Sequence, residues 1–211
     1  MKIALINGSP KTSNSASEVL LHTIQTMLPS DADIREFKFN RAELDETELQ
    51  AVTDSEVLVF AFPLYVDGIP SHLLGCLTQM ERTLKLNPMR KIRVYAIVNC
   101  GFYEGKQAAI ALEMLKNWCA KAGVLWGQGA GIGGGGFLAS LEGISRGQGS
   151  TKNLCEALKI LAGNLSTDSH AANVDTVPNF PRVLYTLGGN LGWRKAIKAN
   201  GLSARDLDRK M

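Results

Sequence analysis

The residues best suited to chemistry come early in the chain. Asn7-Gly8-Ser9-Pro10-Lys11-Thr12-Ser13-Asn14-Ser15 follows a short apolar run and opens a helical pattern. Ser15 and Glu18 have the spacing of a capping box, so the helix begins where this loop ends. The start of a helix presents uncommitted N–H groups and the positive end of the helix dipole, a ready place for an anion. Ser9, Thr12, Ser13 and Ser15 add hydroxyl groups and Lys11 adds a positive charge. No acidic residue stands between Asn7 and Glu18, which matters for a phosphate monoester carrying a charge of about −2 at neutral pH. The loop lacks the G-x-x-x-x-G-K-[ST] spacing that wraps a polyphosphate and the three glycines that admit a pyrophosphate. Hydroxyls gathered round one anion favour a monophosphate. Taken alone, a Ser/Asn-rich turn that does no more than cap a helix would read the same way.

Three nearly continuous apolar runs, Ile3–Ile6, Val57–Phe62 and Ile92–Val98, are rich in β-branched and aromatic residues. They read as strands covered on both faces, the mark of a parallel sheet. Ile34–Phe39 reads as an edge strand, and Val124–Trp126 with the residues after it as a fifth. Between them lie helical patterns: residues 16–28, with Val19, Leu20, Ile24, Met27 and Leu28 on one face, and residues 104–121, with Ala108, Leu112, Leu115, Trp118 and Cys119 on one face. Segments 70–84 and 151–165 are helical too. Strands alternating with helices predict an α/β, doubly wound, five-stranded parallel sheet of flavodoxin-like order 2-1-3-4-5. This unit is expected to span 1–165. Residues 166–211 would be a polar linker followed by a C-terminal helical extension over 181–200, ended by Asn200-Gly201.

The string G-S-P-K-x-S-N-S at 8–15 resembles the phosphate loop of the NADPH-dependent FMN reductase family, flavodoxin-like flavoproteins that oxidise NAD(P)H. Two further segments resemble that family's pattern. Phe62-Pro63-Leu64-Tyr65-Val66-Asp67-Gly68-Ile69-Pro70 follows the third strand, and Asn99-Cys100-Gly101-Phe102-Tyr103-Glu104 follows the fourth. Ligands of open α/β sheets bind beyond the carboxyl ends of the strands, where all three loops fall. The resemblance implies a bound FMN. Its phosphate would meet Ser9, Lys11, Ser13, Asn14 and Ser15. Pro63, Leu64, Tyr65 and Val66 would offer stiff, apolar cover for the isoalloxazine ring. Asn99, Cys100, Gly101 and Phe102 would approach its pyrimidine edge, Gly101 allowing close contact of the backbone. Cys100 is expected to fill space there. In such a protein the cofactor carries the chemistry, so no catalytic side chain is assigned.

The implied function is an FMN-dependent oxidoreductase. Electrons from NAD(P)H would pass through bound FMN to a small acceptor such as a quinone or a flavin. The alternatives are a flavodoxin-type carrier without its own NAD(P)H oxidation and a flavodoxin-like module that has lost the cofactor. A formal net charge of +3 sits poorly with the acidic carriers and is too small to imply nucleic-acid binding. Gly129-Ala130-Gly131-Ile132-Gly133-Gly134 matches G-x-G-x-x-G, but seven of the ten residues 127–136 are Gly, so composition alone yields the match. That stretch reads as a small-residue strand and a flexible loop. Cys76, Cys100, Cys119 and Cys155 form no C-x-x-C pair, and the three histidines share no metal spacing. No metal and no iron–sulfur cluster are expected. With 45% hydrophobic and 20% charged residues, no apolar run near the ~18 residues of a membrane span and no signal peptide at MKIALINGSP, a cytoplasmic protein off the membrane is expected. Phe180, Val183, Leu184, Tyr185, Leu187, Leu191, Trp193 and Ile197 are too much apolar surface to leave in water. Together with the family resemblance they point to a homodimer.

Overall fold

The apolar runs become strands paired on both sides. The computed structural model describes residues 1–86, 91–138, 147–203 and 205–206. In it β1 spans Lys2–Asn7, β2 Asp33–Lys38, β3 Val57–Pro63, β4 Arg93–Asn99 and β5 Leu125–Ile132. All neighbours are parallel, in the order β2-β1-β3-β4-β5, the order expected from the fold class. The helices are α1 (Ala16–Gln25), α2 (Glu46–Thr53), α3 (Ser71–Lys85), α4 (Ala109–Ala122), the short α5 (Gly135–Leu138), α6 (Lys152–Ser166) and α7 (Arg182–Ala199). A 3-10 turn, Gly105–Ala108, leads into α4.

Alternate residues of each central strand feed two cores. Leu5, Val59 and Ile97 pack with Leu20 and Ile24 of α1 and Leu158 and Leu161 of α6. Ile6, Phe60 and Val98 pack with Leu73 and Leu77 of α3 and with Leu112 and Trp118 of α4. Each fully buried side chain of this size contributes roughly 1.5–3 kcal/mol. Helices on both faces of a parallel sheet make the doubly wound architecture.

Two features depart from the sequence reading. Residues 166–178, expected to be linker, contain a sixth strand, β6 (Val174–Thr176), which pairs parallel with β5. Side-chain amides fix it. Asn173 Oδ1 accepts from Gly129 N at 2.9 Å, and buried Gln128 bridges the Ala172 carbonyl (2.7 Å) and the Asn164 amide (2.9 Å). The sheet-bearing unit is therefore Met1–Pro178, with Asn179–Met211 a second compact unit. Helix α2, with a capping box between Asp45 and Glu48, was not read from the sequence.

The fifth strand runs through the first part of the glycine tract, where a small-residue strand was expected. Its pairing with β4 shifts between Val94 and Tyr95, which oppose Trp126 and Gln128 and leave Gly127 as an extra residue. In the second unit α7 ends at Asn200, followed by Gly201 at φ 71°. Among the described residues no helix is long and apolar enough to cross a membrane. Arg209 and Lys210, which enlarge the basic cluster at the end of the sequence, lie outside the described residues.

Candidate functional site

The loop between β1 and α1 is stapled from within. Asn7, buried at the end of β1, uses both ends of its amide: Oδ1 accepts from Ser9 N at 3.0 Å, and Nδ2 donates to Ser15 Oγ at 3.3 Å. Ser15 Oγ also accepts from Glu18 N (3.1 Å), while Glu18 Oε2 accepts from Ser15 N (3.4 Å), completing the expected capping box. Ser9 is buried and its Oγ accepts from Lys11 N at 3.3 Å. The carboxyl end of β3 holds the loop from below, Gly8 N donating to Ala61 O at 2.8 Å. A His72 ring nitrogen lies 3.2 Å from Gly8 O.

What the loop leaves over is a set of donors. Among the described residues the N–H groups of Thr12, Ser13 and Asn14, and those of Ala16 and Ser17 in the first helical turn, donate to no protein acceptor. Asn14 takes a left-handed conformation, φ 52°. Ser15 after it is extended, φ −87° and ψ 148°, and a turn of this kind can gather successive N–H groups into a concave anion nest. Ser9 and Ser15 shape this loop through their internal bonds, while Lys11, Thr12, Ser13 and Asn14 are exposed.

The loop after β3 is a tight hairpin. Tyr65 and Gly68 exchange two backbone bonds (3.2 and 3.0 Å), with Val66 (φ 48°) and Asp67 (φ 57°) at the tip. Two successive positive φ values are those of a type I′ turn, which favours Asn and Gly. Val66 is 100% exposed and Tyr65 47%, so the hairpin presents apolar surface at the carboxyl edge of the sheet.

Asn99 joins the three loops. It is buried at the end of β4. Its Oδ1 accepts from Ser17 Oγ of α1 at 3.1 Å, and its carbonyl accepts from Leu64 N of the hairpin loop at 2.8 Å. Cys100 N donates to Ile132 O at 2.9 Å, and Cys100 O accepts from Gly135 N at 2.6 Å. The Cys100 thiol turns inward, 3.6 Å from the Glu104 carbonyl, and burial raises its pKa, keeping it protonated. That is the geometry of a space-filling residue. Beyond it the loop opens: Gly101 is exposed, a side chain there would meet nothing within 4 Å, and Phe102 is 53% exposed.

An anion nest and exposed Tyr65, Val66 and Phe102 thus sit on adjacent strand ends, fastened through Asn7 and Asn99. The donors fit a phosphate, and the apolar loops fit a flat ring. The residues expected at the phosphate, Ser9, Lys11, Ser13, Asn14 and Ser15, lie in the first loop. Pro63, Leu64, Tyr65 and Val66 lie in the second, and Asn99, Cys100, Gly101 and Phe102 in the third. Asn7 heads the loop singled out in the sequence but was given no role there, and Ser17 and His72 were not assigned to the site. Ser17 could have been found as a polar residue in a first helical turn. The glycine tract does not join this site as a second nest. Its residues press on neighbouring backbone: a Cβ on Gly131 would lie 2.4 Å from Gly105 O, and one on Gly133 2.1 Å from Tyr103 O. The flexible loop expected beyond it runs into residues outside those described. Among the described residues no group of His, Cys, Asp and Glu is arranged to hold a metal ion.

Strand order, layering and loop placement define a flavodoxin-like α/β fold. Solved structures share it at low identity. NAD(P)H:quinone oxidoreductase from Methanothermobacter marburgensis aligns with TM-score 0.57 and 14% identity, over 81% of this chain and 97% of that one. The Trp repressor binding protein from Bacillus subtilis aligns with TM-score 0.57 and 15% identity, over 75% and 96%. A short-chain flavodoxin associated with a bacterial microcompartment aligns with TM-score 0.52 and 15% identity, over 80% and 99%. No protein-family model matches the sequence, and neither does any curated protein.

Proposed function

We propose that the protein is an FMN-dependent oxidoreductase that takes electrons from NAD(P)H and delivers them to a small-molecule acceptor. The observation that carries this reading is the set of uncommitted N–H groups at Thr12, Ser13, Asn14, Ala16 and Ser17, next to two loops that expose Tyr65, Val66 and Phe102. The nest and Lys11 would bind the phosphate. Tyr65 and Val66 would cover one side of the ring, with Gly101 and Phe102 at its pyrimidine edge. A bound flavin supplies two-electron chemistry between a nicotinamide and a second acceptor. The chain's own part is to bind, orient and partly shield that group. Donors aimed at the pyrimidine edge would stabilise the negative charge that reduction places there. Names of structures sharing the fold, NAD(P)H:quinone oxidoreductase and flavodoxin, support a flavin site of this kind.

The test uses the purified protein with added FMN. A stoichiometric yellow complex that bleaches within seconds of anaerobic NADH or NADPH addition is the expected result. A yellow complex that stays oxidised identifies a carrier, and failure to bind FMN removes the reading altogether. The homodimer inferred from the sequence belongs to the same proposal, with Leu184, Leu187 and Leu191 of α7 as the surface it would bury. Light scattering should report twice the mass of one chain, and a monomer at micromolar concentration would exclude it.

A further inference from the structure

Strand register places a cation where the first loop turns. Lys38 ends β2 directly opposite Asn7, the last residue of β1. It lines a cleft of about 130 Å³ together with Leu5, Glu18, His22 and Glu36. Two carboxylates line the same cleft, yet Lys38 Nζ donates to the Thr12 carbonyl of the loop. In a trans peptide the carbonyl of one residue and the N–H of the next point in opposite directions. Drawing the Thr12 carbonyl toward β2 therefore turns the Ser13 N–H away from it. β3 and β4, which carry the other two loops, lie on the far side of β1 from β2.

We propose that Lys38 is a positioning residue for the phosphate of the bound flavin. It clamps the Thr12–Ser13 peptide so that the Ser13 N–H faces the nest, and it sets a second positive charge near the anion, on the side away from the ring. This rests on the flavin reading above. Lys38→Met keeps a long apolar stem and loses donor and charge, whereas Lys38→Arg keeps both.

The experiment measures FMN and riboflavin affinity by flavin fluorescence for wild type, Lys38→Met and Lys38→Arg, and follows backbone amide resonances as FMN is added. Lys38→Met should weaken FMN about tenfold, the scale of one charge-assisted hydrogen bond, and leave riboflavin unchanged. Lys38→Arg should recover most of the loss. In wild type the Ser13 amide should move downfield as the phosphate binds. In Lys38→Met that shift should collapse while the Ser17 shift survives. Unchanged FMN affinity in Lys38→Met overturns the proposal. So does an equal loss of FMN and riboflavin, which would make Lys38 a general support of the loop. A wild-type protein that binds neither flavin refutes the flavin reading, and this proposal with it.

Discussion

Two stretches of this chain look like nucleotide loops in sequence, and the fold treats them in opposite ways. The loop at 8–15 has one glycine, yet it leaves the N–H groups of Thr12, Ser13 and Asn14 uncommitted. The stretch at 127–135 has the G-x-G-x-x-G spacing, yet its glycines serve as contact points. Gly127 makes room for the Tyr95 ring, Gly129 for Leu112, Gly131 for Gly105 and Asp175, and Gly135 for the Cys100 carbonyl. Glycine spacing permits close approach but does not say what approaches. In both stretches it is the protein itself, Leu73 Cδ2 lying 2.7 Å from where a Cβ on Gly8 would stand; what sets the first loop apart is the uncommitted N–H groups of Thr12, Ser13 and Asn14.

The largest effect that could sharpen this contrast comes from adding carbon at a glycine that packs against the protein and at one that faces open space. Gly131→Ala puts a Cβ 2.4 Å from Gly105 O and 2.5 Å from Asp175 Oδ1, and neither neighbour is the free end of a long chain. It should cost about 3 kcal/mol in urea unfolding, the upper range for overpacking. Gly101→Val, at a position with nothing within 4 Å of its Cβ, should leave the urea midpoint within ~0.5 kcal/mol while abolishing flavin binding. A stable Gly131→Ala protein, or a Gly101→Val protein that purifies with full flavin, would erase the distinction.

Next in size is the anion nest. Charge-assisted hydrogen bonds contribute about 1.5–3 kcal/mol each, so Lys11→Ala with Ser13→Ala should weaken FMN by at least about tenfold. Riboflavin affinity and the urea midpoint should not change, because both side chains are exposed. Equal losses for FMN and riboflavin would mean that the loop does not hold the phosphate.

The smallest effect belongs to the packed region and appears with pH. Burial pushes the Tyr95 hydroxyl up to about 12 and the Cys76 thiol up to about 11, from ordinary values of 10.0 and 9.0. Their contribution to stability is fully present below pH 9. Between pH 9 and 12 the unfolded chain gives up these protons before the folded one does, so stability falls as pH rises. The decline should approach 1.4 kcal/mol per pH unit for each group in its own window. Tyr95→Phe should flatten the slope between pH 10 and 12. A slope unaltered by that substitution would show that the Tyr95 hydroxyl is not held protonated by the packing around Gly127.

What the sequence revealed was local, though not all that is local was read: Asp45 with Glu48 caps α2 by the same spacing and was passed over. Ser15 with Glu18 marks the start of α1 because a capping box lies within four residues. Continuous runs such as Val57–Phe62 mark central strands because they are apolar on both faces. Non-local features stayed hidden. Lys38 meets Thr12 through the pairing of β1 with β2, and no spacing along the chain reports that register. The strand β6 is three residues long in a polar segment, and it is held by amides of Gln128, Asn164 and Asn173 far apart in sequence. The glycines of β5 are explained by Tyr95, by Leu112 and by Gly105 of the 3-10 turn, all well upstream in the chain.

The hairpin tip has a consequence for engineering this chain. A β-branched residue at φ 48°, as Val66 is, sits in a region that costs of order 1–3 kcal/mol, and its fully exposed side chain recovers nothing through burial in the chain. Asn-Gly is the pair this turn accepts without strain. A more robust protein therefore lies one or two substitutions away, at Val66-Asp67, and on the flavin reading proposed above that gain would be traded against apolar cover for the ring.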